Sequence, residues 1–141
     1  MSVRSGAAGG GSGGGSTLDY VARTSNLTVT STSSASPTTV VTGATQTYDG
    51  TPVWVEFSCA QAALGTGSLF IGIYYDSTLV EYSRIDIGGS TPGVPVHMTL
   101  KHSPSAGSHT YSVGAWNGTG TTGMIYATSQ YLSAHMRITR Y

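Results

Sequence analysis

Hydrophobic and polar residues alternate along most of the chain, in short runs that Gly, Pro, Ser, Asn and Asp separate. The run VPVHMTLKH at 94–102 has Val, Val, Met and Leu at every second position, with Pro, His, Thr and Lys between them. Successive side chains of a β-strand point to opposite faces of a sheet, so this alternation predicts a half-buried strand. The runs PVWVEFSC at 52–59 and AHMRITRY at 134–141 show the same period of two.

The middle of the chain predicts a hairpin. In SLFIGIYYD at 68–76 both alternate faces are largely apolar, which is typical of a central strand covered on both sides. Asp76-Ser77 is a turn signal, and TLVEYSRIDI after it would return as the second strand. Further turns or loops are predicted at Asp49-Gly50, at SPSAGS (103–108) and at NGTGTTG (117–123).

Helical spacing of apolar residues is missing over any ten positions, and the best candidate, CAQAALG at 59–65, would give one or two turns at most. The pattern therefore predicts an all-β protein with roughly eight to ten short strands at intervals of about ten residues. Such spacing is typical of antiparallel sandwiches and barrels. A jelly-roll-like antiparallel β-sandwich is the preferred fold, and an immunoglobulin-like sandwich is the alternative.

The start of the chain has a different composition, because residues 6–16 are all Gly, Ala or Ser and cannot form a core. We divide the chain into an extended arm, residues 1–16, and a β-sandwich domain, residues 17–141. The arm could be an engineered linker, a disordered spacer, or a segment that becomes ordered on a partner, and we favour the last. Its glycines allow close backbone approach, and one arginine supplies an anchoring charge. The partner-binding residues expected in the arm are Arg4, Gly9, Gly10, Gly11, Gly13, Gly14 and Gly15.

Charge is scarce. Six Lys and Arg balance six Asp and Glu, and charged residues make up 9% of the chain, against about 25% in a typical domain. A nucleic-acid binder needs a basic face to neutralise phosphates, so we expect neither nucleic acid nor an anionic membrane as a partner. The sequence shows neither a secretory signal nor an apolar run of about 20 residues that would cross a membrane.

Candidate chemistry is weak, and we expect no catalytic residue, metal or other cofactor. His102 and His109 flank the SPSAGS turn and could approach each other as metal ligands, but two solvated imidazoles are the simpler interpretation. Glu56 and Glu81 could face each other across neighbouring strands as the carboxylate pair of a glycoside hydrolase. Cys59, the only cysteine, ends an apolar run and is predicted to be a buried free thiol.

Aromatic residues suggest contact surfaces. Trp116-Asn117, predicted at a loop mouth, is the best candidate for stacking on a sugar ring. Large aromatics on sheet faces more often pack in cores or between subunits. We therefore also predict a subunit interface around Tyr74, Tyr126 and Met136.

The order of motifs supplies a resemblance. A Gly/Ser-rich start is followed by LDYVAR, NLTVTS and then TQTYDGTPVWVEFS. In this the chain resembles small structural proteins of tailed bacteriophages, over roughly residues 9–58. The final AHMRITRY would suit the closing strand of a jelly roll similar to trimeric tumour-necrosis-factor and complement-head folds.

The resemblance implies a virion component without enzymatic activity. The leading hypothesis is a capsid decoration protein that binds the outer surface of the head as a homotrimer, contacting the lattice of the major capsid protein and neighbouring copies of itself. The alternative is a receptor- or carbohydrate-binding module of the phage tail. A third hypothesis, disfavoured, is a small hydrolase of cell-wall sugars that uses Glu56 and Glu81.

Overall fold

The computed structural model describes residues 15–64, 66–87, 93–120, 122–128 and 133–141. These residues form antiparallel β-sheets and contain no helix, which confirms the all-β prediction. None of the described segments is a helix that could cross a membrane. The strands are β1 (Thr17–Arg23), β2 (Leu27–Val29), β3 (Thr38–Thr42), β4 (Gln46–Tyr48), β5 (Val53–Leu64), β6 (Gly67–Tyr75), β7 (Thr78–Ile87), β8 (Val94–His102), β9 (Gly107–His109), β10 (Tyr111–Gly120), β11 (Gly123–Tyr126) and β12 (Ala134–Arg140).

The longer strands pair in a nested way. β6 pairs with β7, β5 with β8, β3 with β10 and β1 with β12, in each case antiparallel. The first sheet runs in the order β8, β5, β12, β1, and β11 and β2 extend it along the far half of β5. The second sheet has the order β3, β10, β6, β7, and β4 pairs with β9 separately. The sheets curl into a half-barrel.

One hydrophobic core receives side chains from both large sheets. The alternation predicted their orientation correctly: Val53, Val55 and Phe57 of β5 are buried, as are Leu69, Ile71 and Ile73 of β6. Burial of apolar area contributes about 25 cal/mol per Å², so these alternate positions are the main source of stability. The longer strands form because each has an apolar face that it buries in the shared core.

Several predicted boundaries were wrong. Twelve strands, rather than eight to ten, occur within the described ranges. CAQAALG is not helical: residues 59–64 continue β5, because their backbone pairs with β8 and β11. Those ladders outweigh the helix propensity of Ala. NGTGTTG is not a seven-residue loop either, since β10 extends to Gly120 and β11 begins at Gly123.

The predicted turns at two sites are confirmed. Asp76 and Ser77 have φ of 47° and 68°, and two consecutive positive φ values are those of the tight turn that joins twisted strands in a hairpin. Gly50 has a φ of 90°, and Asp49 Oδ1 accepts the N–H of Thr51 at 3.0 Å beside it. Aspartate at such turns hydrogen-bonds the backbone two residues on.

The arm joins the body at the edge of the first sheet. Ser16 O accepts the N–H of Arg140 at 3.0 Å, which continues the β1–β12 ladder by one step. A Cβ at Gly15 would collide with the carbonyl oxygen of Arg140, so only glycine allows this approach. The remaining partner-binding candidates of the arm, Arg4 and the glycines between positions 9 and 14, lie outside the described residues.

Candidate functional site

The predicted subunit interface is largely wrong. Tyr74 is 2% exposed, and its hydroxyl donates to the carbonyl oxygen of Ser34 at 2.8 Å. Met136 is 1% exposed and belongs to the core. Neither side chain has surface to offer a second subunit, because the segment 31–37 covers Tyr74 and the opposite sheet covers Met136. Tyr126 is half-buried at the end of β11, and its role at an interface stays a prediction.

Asn117 is a clamp within the fold and not a sugar ligand at a loop mouth. It is 5% exposed. Its Nδ2 donates to the carbonyl oxygen of Val29 at 2.7 Å, and its Oδ1 accepts the N–H of Gly123 at 3.0 Å. A buried amide that bonds at both ends holds β2 and the start of β11 against β10 and is not presented to a ligand at the surface.

Trp116 is also more enclosed than expected, at 8% exposed. Register places Arg84, Phe70 and Trp116 side by side across β7, β6 and β10. The Phe70 and Trp116 rings are nearly parallel, at 3°, with centroids 5.2 Å apart. Tyr82 lies 6.0 Å from Phe70 and 6.2 Å from Trp116 and is 54% exposed. We call Phe70, Tyr82, Arg84 and Trp116 the aromatic face.

The two carboxylates considered for glycoside hydrolysis do not face each other. Glu56 is on β5 of the first sheet, whereas Glu81 is on β7 of the second. Glu56 Oε2 accepts Nε and Nη2 of Arg137 at 3.1 and 2.9 Å. Glu81 Oε1 accepts the backbone N–H of Tyr82 at 3.0 Å. The hypothesis that Glu56 and Glu81 face each other was wrong, because the sequence alone does not assign their strands to different sheets.

A hydrogen-bonded network that sequence reasoning missed connects three segments of the chain. The β6–β7 turn supplies Asp76, β9 supplies His109, and the SPSAGS turn supplies Ser105. Oδ2 of Asp76 lies 2.5 Å from Nδ1 of His109, and Nε2 of His109 lies 3.0 Å from Oγ of Ser105. We call Asp76, His109 and Ser105 the serine network.

Asp76 and His109 of the serine network also interact with residues outside the network. Asp76 Oδ1 accepts the N–H of Thr110 at 3.0 Å. This bond, and then His109, hold the pKa of the Asp76 carboxyl below its usual range. The imidazole of His109 contacts the rings of Tyr75 and Tyr48, at centroid distances of 4.8 and 6.3 Å. Spacing alone could not reveal the network, because Asp76 is 33 residues from His109 and only folding brings them together.

His102 and His109 do approach each other, but with Tyr75 between them. The ring of Tyr75 is 4.8 Å from both imidazoles. His102 Nδ1 is 2.5 Å from the hydroxyl of Tyr111, and burial lowers the pKa of His102. In the described part of the chain, no group of three or more His, Cys, Asp or Glu could hold a metal ion.

Cys59 is a buried free thiol, as predicted. Its Sγ donates to the carbonyl oxygen of Gln61 at 3.2 Å, and burial raises the pKa of the thiol. Because the thiolate is the nucleophilic form of cysteine, the Cys59 thiol is a poor nucleophile near neutral pH.

No protein-family model matches the chain, and no curated protein matches it.

Proposed function

We propose that the chain is a non-enzymatic structural protein of a bacteriophage particle, a capsid decoration protein bound to the outer surface of the head as a homotrimer. Its partners would be the lattice of the major capsid protein and neighbouring copies of itself. The resemblance of residues 9–58 to small phage structural proteins supports membership of that class. The geometry supports a role in contact with other proteins. A protein that binds only the assembled shell shifts the equilibrium toward the intact particle.

The strand order supports a jelly-roll sandwich as the body of this protein. The eight strands of five or more residues, taken in chain order, pair first with eighth, second with seventh, third with sixth and fourth with fifth. Jelly rolls have eight strands in two sheets, built from two Greek keys. The nested pairing is what a long antiparallel hairpin gives when it folds over into two sheets.

The observation that carries the arm hypothesis is the bond between Arg140 N–H and Ser16 O, which ties the root of the glycine-rich segment to the β1–β12 ladder. A segment fixed at one end to a sheet transmits its own binding energy directly to the folded body. An arm and a body that bind the same lattice act as two linked modules, and their combined affinity exceeds that of either one.

The aromatic face supports contact between proteins as well. Tyr, Trp, Phe and Arg are enriched at the centres of protein interfaces, and all four residue types stand together here. Tyr82 is one of two large hydrophobic side chains that are exposed among the described residues; Tyr141, next to the ring of Trp54, is the other.

Binding to heads of the parent phage that have been stripped of this protein tests the proposal. We expect the intact chain to bind saturably and a chain without residues 1–14 to bind at least about tenfold more weakly, since an effective-concentration advantage is lost. A chain whose first 14 residues are shuffled keeps length and composition and serves as the control. Unchanged affinity after truncation would remove the arm hypothesis, and no binding of the intact chain would remove the capsid proposal.

A carbohydrate-binding tail module remains the second candidate, because Tyr82 presents an exposed ring beside Arg84. Aromatic rings next to polar groups suit the flat faces of sugars. A glycan array with Tyr82→Ala, and with Tyr141→Ala as the matched control, separates the candidates. Glycan signal that is lost only in Tyr82→Ala favours the tail module, and no signal from the intact protein excludes it.

A further inference from the structure

We propose that Ser105, His109 and Asp76 form a nucleophilic site at which Ser105 accepts acyl groups from small esters. The hydroxyl of Ser105 bonds to an imidazole, which in turn bonds to a carboxylate. This is the order of hydrogen-bonded groups that activates serine in acyl-transfer enzymes. Such a constellation is recognised by geometry and roles and not by order along the chain. The proposal gives the protein an acyl-transfer activity and so departs from the non-enzymatic part of the proposed function, whereas the capsid role does not depend on it.

The distances between Ser105, His109 and Asp76 suit a nucleophile, its general base and the group that orients the base. A nucleophile and its base must lie within about 2.6–3.2 Å of each other, and Ser105 Oγ is 3.0 Å from His109 Nε2. The base in turn needs a group that orients it, and Asp76 Oδ2 lies 2.5 Å from Nδ1. Both bonds therefore already exist in the free protein.

The direction of each hydrogen bond follows from the donors available. An ionised carboxylate only accepts, so Nδ1 of His109 carries the proton and Nε2 of the neutral ring is an acceptor. Ser105 must then donate its hydroxyl proton to Nε2. The Tyr75 hydroxyl, 3.1 Å from both the N–H and the Oγ of Ser105, accepts from the former and donates to the latter. The arrangement selects the tautomer that can take a proton from serine.

The surrounding segments hold the site in place. Tyr75 and Tyr48 contact the imidazole, and the turn that carries Ser105 is fixed through the Tyr75 hydroxyl. Gly107 has a φ of 130°, and a Cβ at that position would lie 3.5 Å from His109 Nε2, so the turn closes around the reacting nitrogen. A preorganised base loses little entropy in the reaction.

Exposure differs along the relay in the way a nucleophile requires. Ser105 is exposed at the tip of its turn, whereas 16% of the His109 side chain is exposed. An acyl donor can therefore reach Oγ from solvent while the base stays sheltered. Since no enclosing cleft is needed to reach it, we assign small, activated esters as the substrate class.

The reaction is balanced. Ser105 Oγ bonds to the carbonyl carbon of the ester as its proton passes to His109 Nε2. The ester C–O bond then breaks, and the alcohol leaves with that proton, which gives acyl-Ser105. Water, deprotonated by His109, attacks the acyl carbon and releases the carboxylic acid, and Ser105 regains its proton. Asp76 stays ionised throughout and stabilises the imidazolium.

Covalent labelling with an alkyl fluorophosphonate tests the proposal on the intact chain. Ser105 Oγ would bond to phosphorus, the P–F bond would break, and fluoride would leave as the proton goes to His109. Peptide mass mapping should place the label on Ser105, and Ser105→Ala should abolish it. Ser103→Ala removes a neighbouring exposed serine of the same turn and should leave labelling unchanged.

The base and its orienting group are tested separately. His109→Gln should slow the labelling of Ser105 by at least about 100-fold, the usual contribution of a general base, and Asp76→Asn should also slow it. Thermal unfolding of each variant confirms that it folds, and a burst of p-nitrophenol from p-nitrophenyl acetate, stoichiometric with protein, gives a second readout. Labelling of Ser105 no faster than that of Ser103, or equally fast in His109→Gln, would overturn the proposal. The network would then only fasten the two turns together, and the capsid proposal would be unaffected.

Discussion

Two tryptophans occupy outward-facing positions of central strands, Trp54 in β5 of the first sheet and Trp116 in β10 of the second, yet their surroundings differ. Trp54 is half-buried and has the ring of Tyr141 at a centroid distance of 5.7 Å. Trp116 is buried against Phe70 and Tyr82. The two outward faces are therefore different surfaces: the first is polar and open, and the second is a packed layer of rings.

The difference comes from what neighbouring strands place in register. On the second sheet, Gly72 leaves room for the indole, since a Cβ there would lie 3.0 Å from Trp116 Cζ3 and 2.5 Å from Leu79 Cδ1. On the first sheet, Glu56 and Arg137 stand opposite each other as an ion pair. Alternation identifies which residues point outward, but partners on adjacent strands decide whether an outward residue is buried.

The largest effect should come from removing the two tryptophans in turn. Trp116→Ala removes the buried ring against which Phe70 and Tyr82 pack and should lower the free energy of unfolding by about 3 kcal/mol. Trp54→Ala is the matched control and should cost about 1 kcal/mol, because its ring is partly in water. Urea unfolding measures both. Equal losses would mean that the two outward faces are not different.

Gly72→Val tests the space beneath the rings. The added side chain must displace Leu79 and Trp116, and overpacking of this kind costs about 1–3 kcal/mol. Thr99→Val, at an exposed outward position of β8 in the first sheet, should change stability by less than about 0.5 kcal/mol. Thermal unfolding compares the two. A neutral Gly72→Val would show that the aromatic layer adjusts freely.

A smaller effect is expected from the ion pair of the first sheet. Glu56→Gln removes the carboxylate charge to which Nε and Nη2 of Arg137 donate. It should lower the free energy of unfolding by about 0.5 kcal/mol, because the ion pair is largely exposed to solvent. The loss should shrink at high salt, which screens surface charges. A double-mutant cycle with Arg137→Gln isolates the pair. A coupling several times larger would mean that the polar face is as stabilising as the aromatic one.

The smallest predicted effect is on the pH dependence of unfolding. It should arise in the first sheet, because none of the four histidines lies on a strand of the second sheet, which consists of β3, β6, β7 and β10. Burial, and then Arg137, lower the pKa of His135. The unfolded chain therefore binds a proton more readily, and stability that is complete above the ordinary histidine pKa of about 6.5 falls as pH drops below it. His135→Gln should flatten this decline in part, since His102 has a lowered pKa for the same reason. An unchanged pH profile of unfolding would contradict the assignment.

The sequence predicted the strands and their buried faces well, because period-two alternation is a local property and Val53, Val55, Leu69 and Ile71 could be assigned without knowing the partner strand. It failed where an outcome depends on a distant segment. Tyr74 was expected at a subunit interface but its hydroxyl bonds to Ser34 and its ring is buried, and Asn117 was expected at a loop mouth but bonds to Val29, 88 residues away.

The serine network shows the same limit more clearly. Asp76 and the SPSAGS turn were both recognised as turn residues, and His109 was identified as a turn-flanking imidazole. Their meeting depends on the order of strands in the second sheet and on the β4–β9 pair, which no local pattern encodes. Candidate chemistry distributed over two turns and a strand is therefore not visible in any single sequence motif.

The mass of purified phage heads, measured before and after this protein is dissociated from them, tests the central claim most directly. A decoration protein should account for hundreds of copies per head, released in multiples of three. A handful of copies would place the protein on the tail, and no copies on the particle at all would contradict the account.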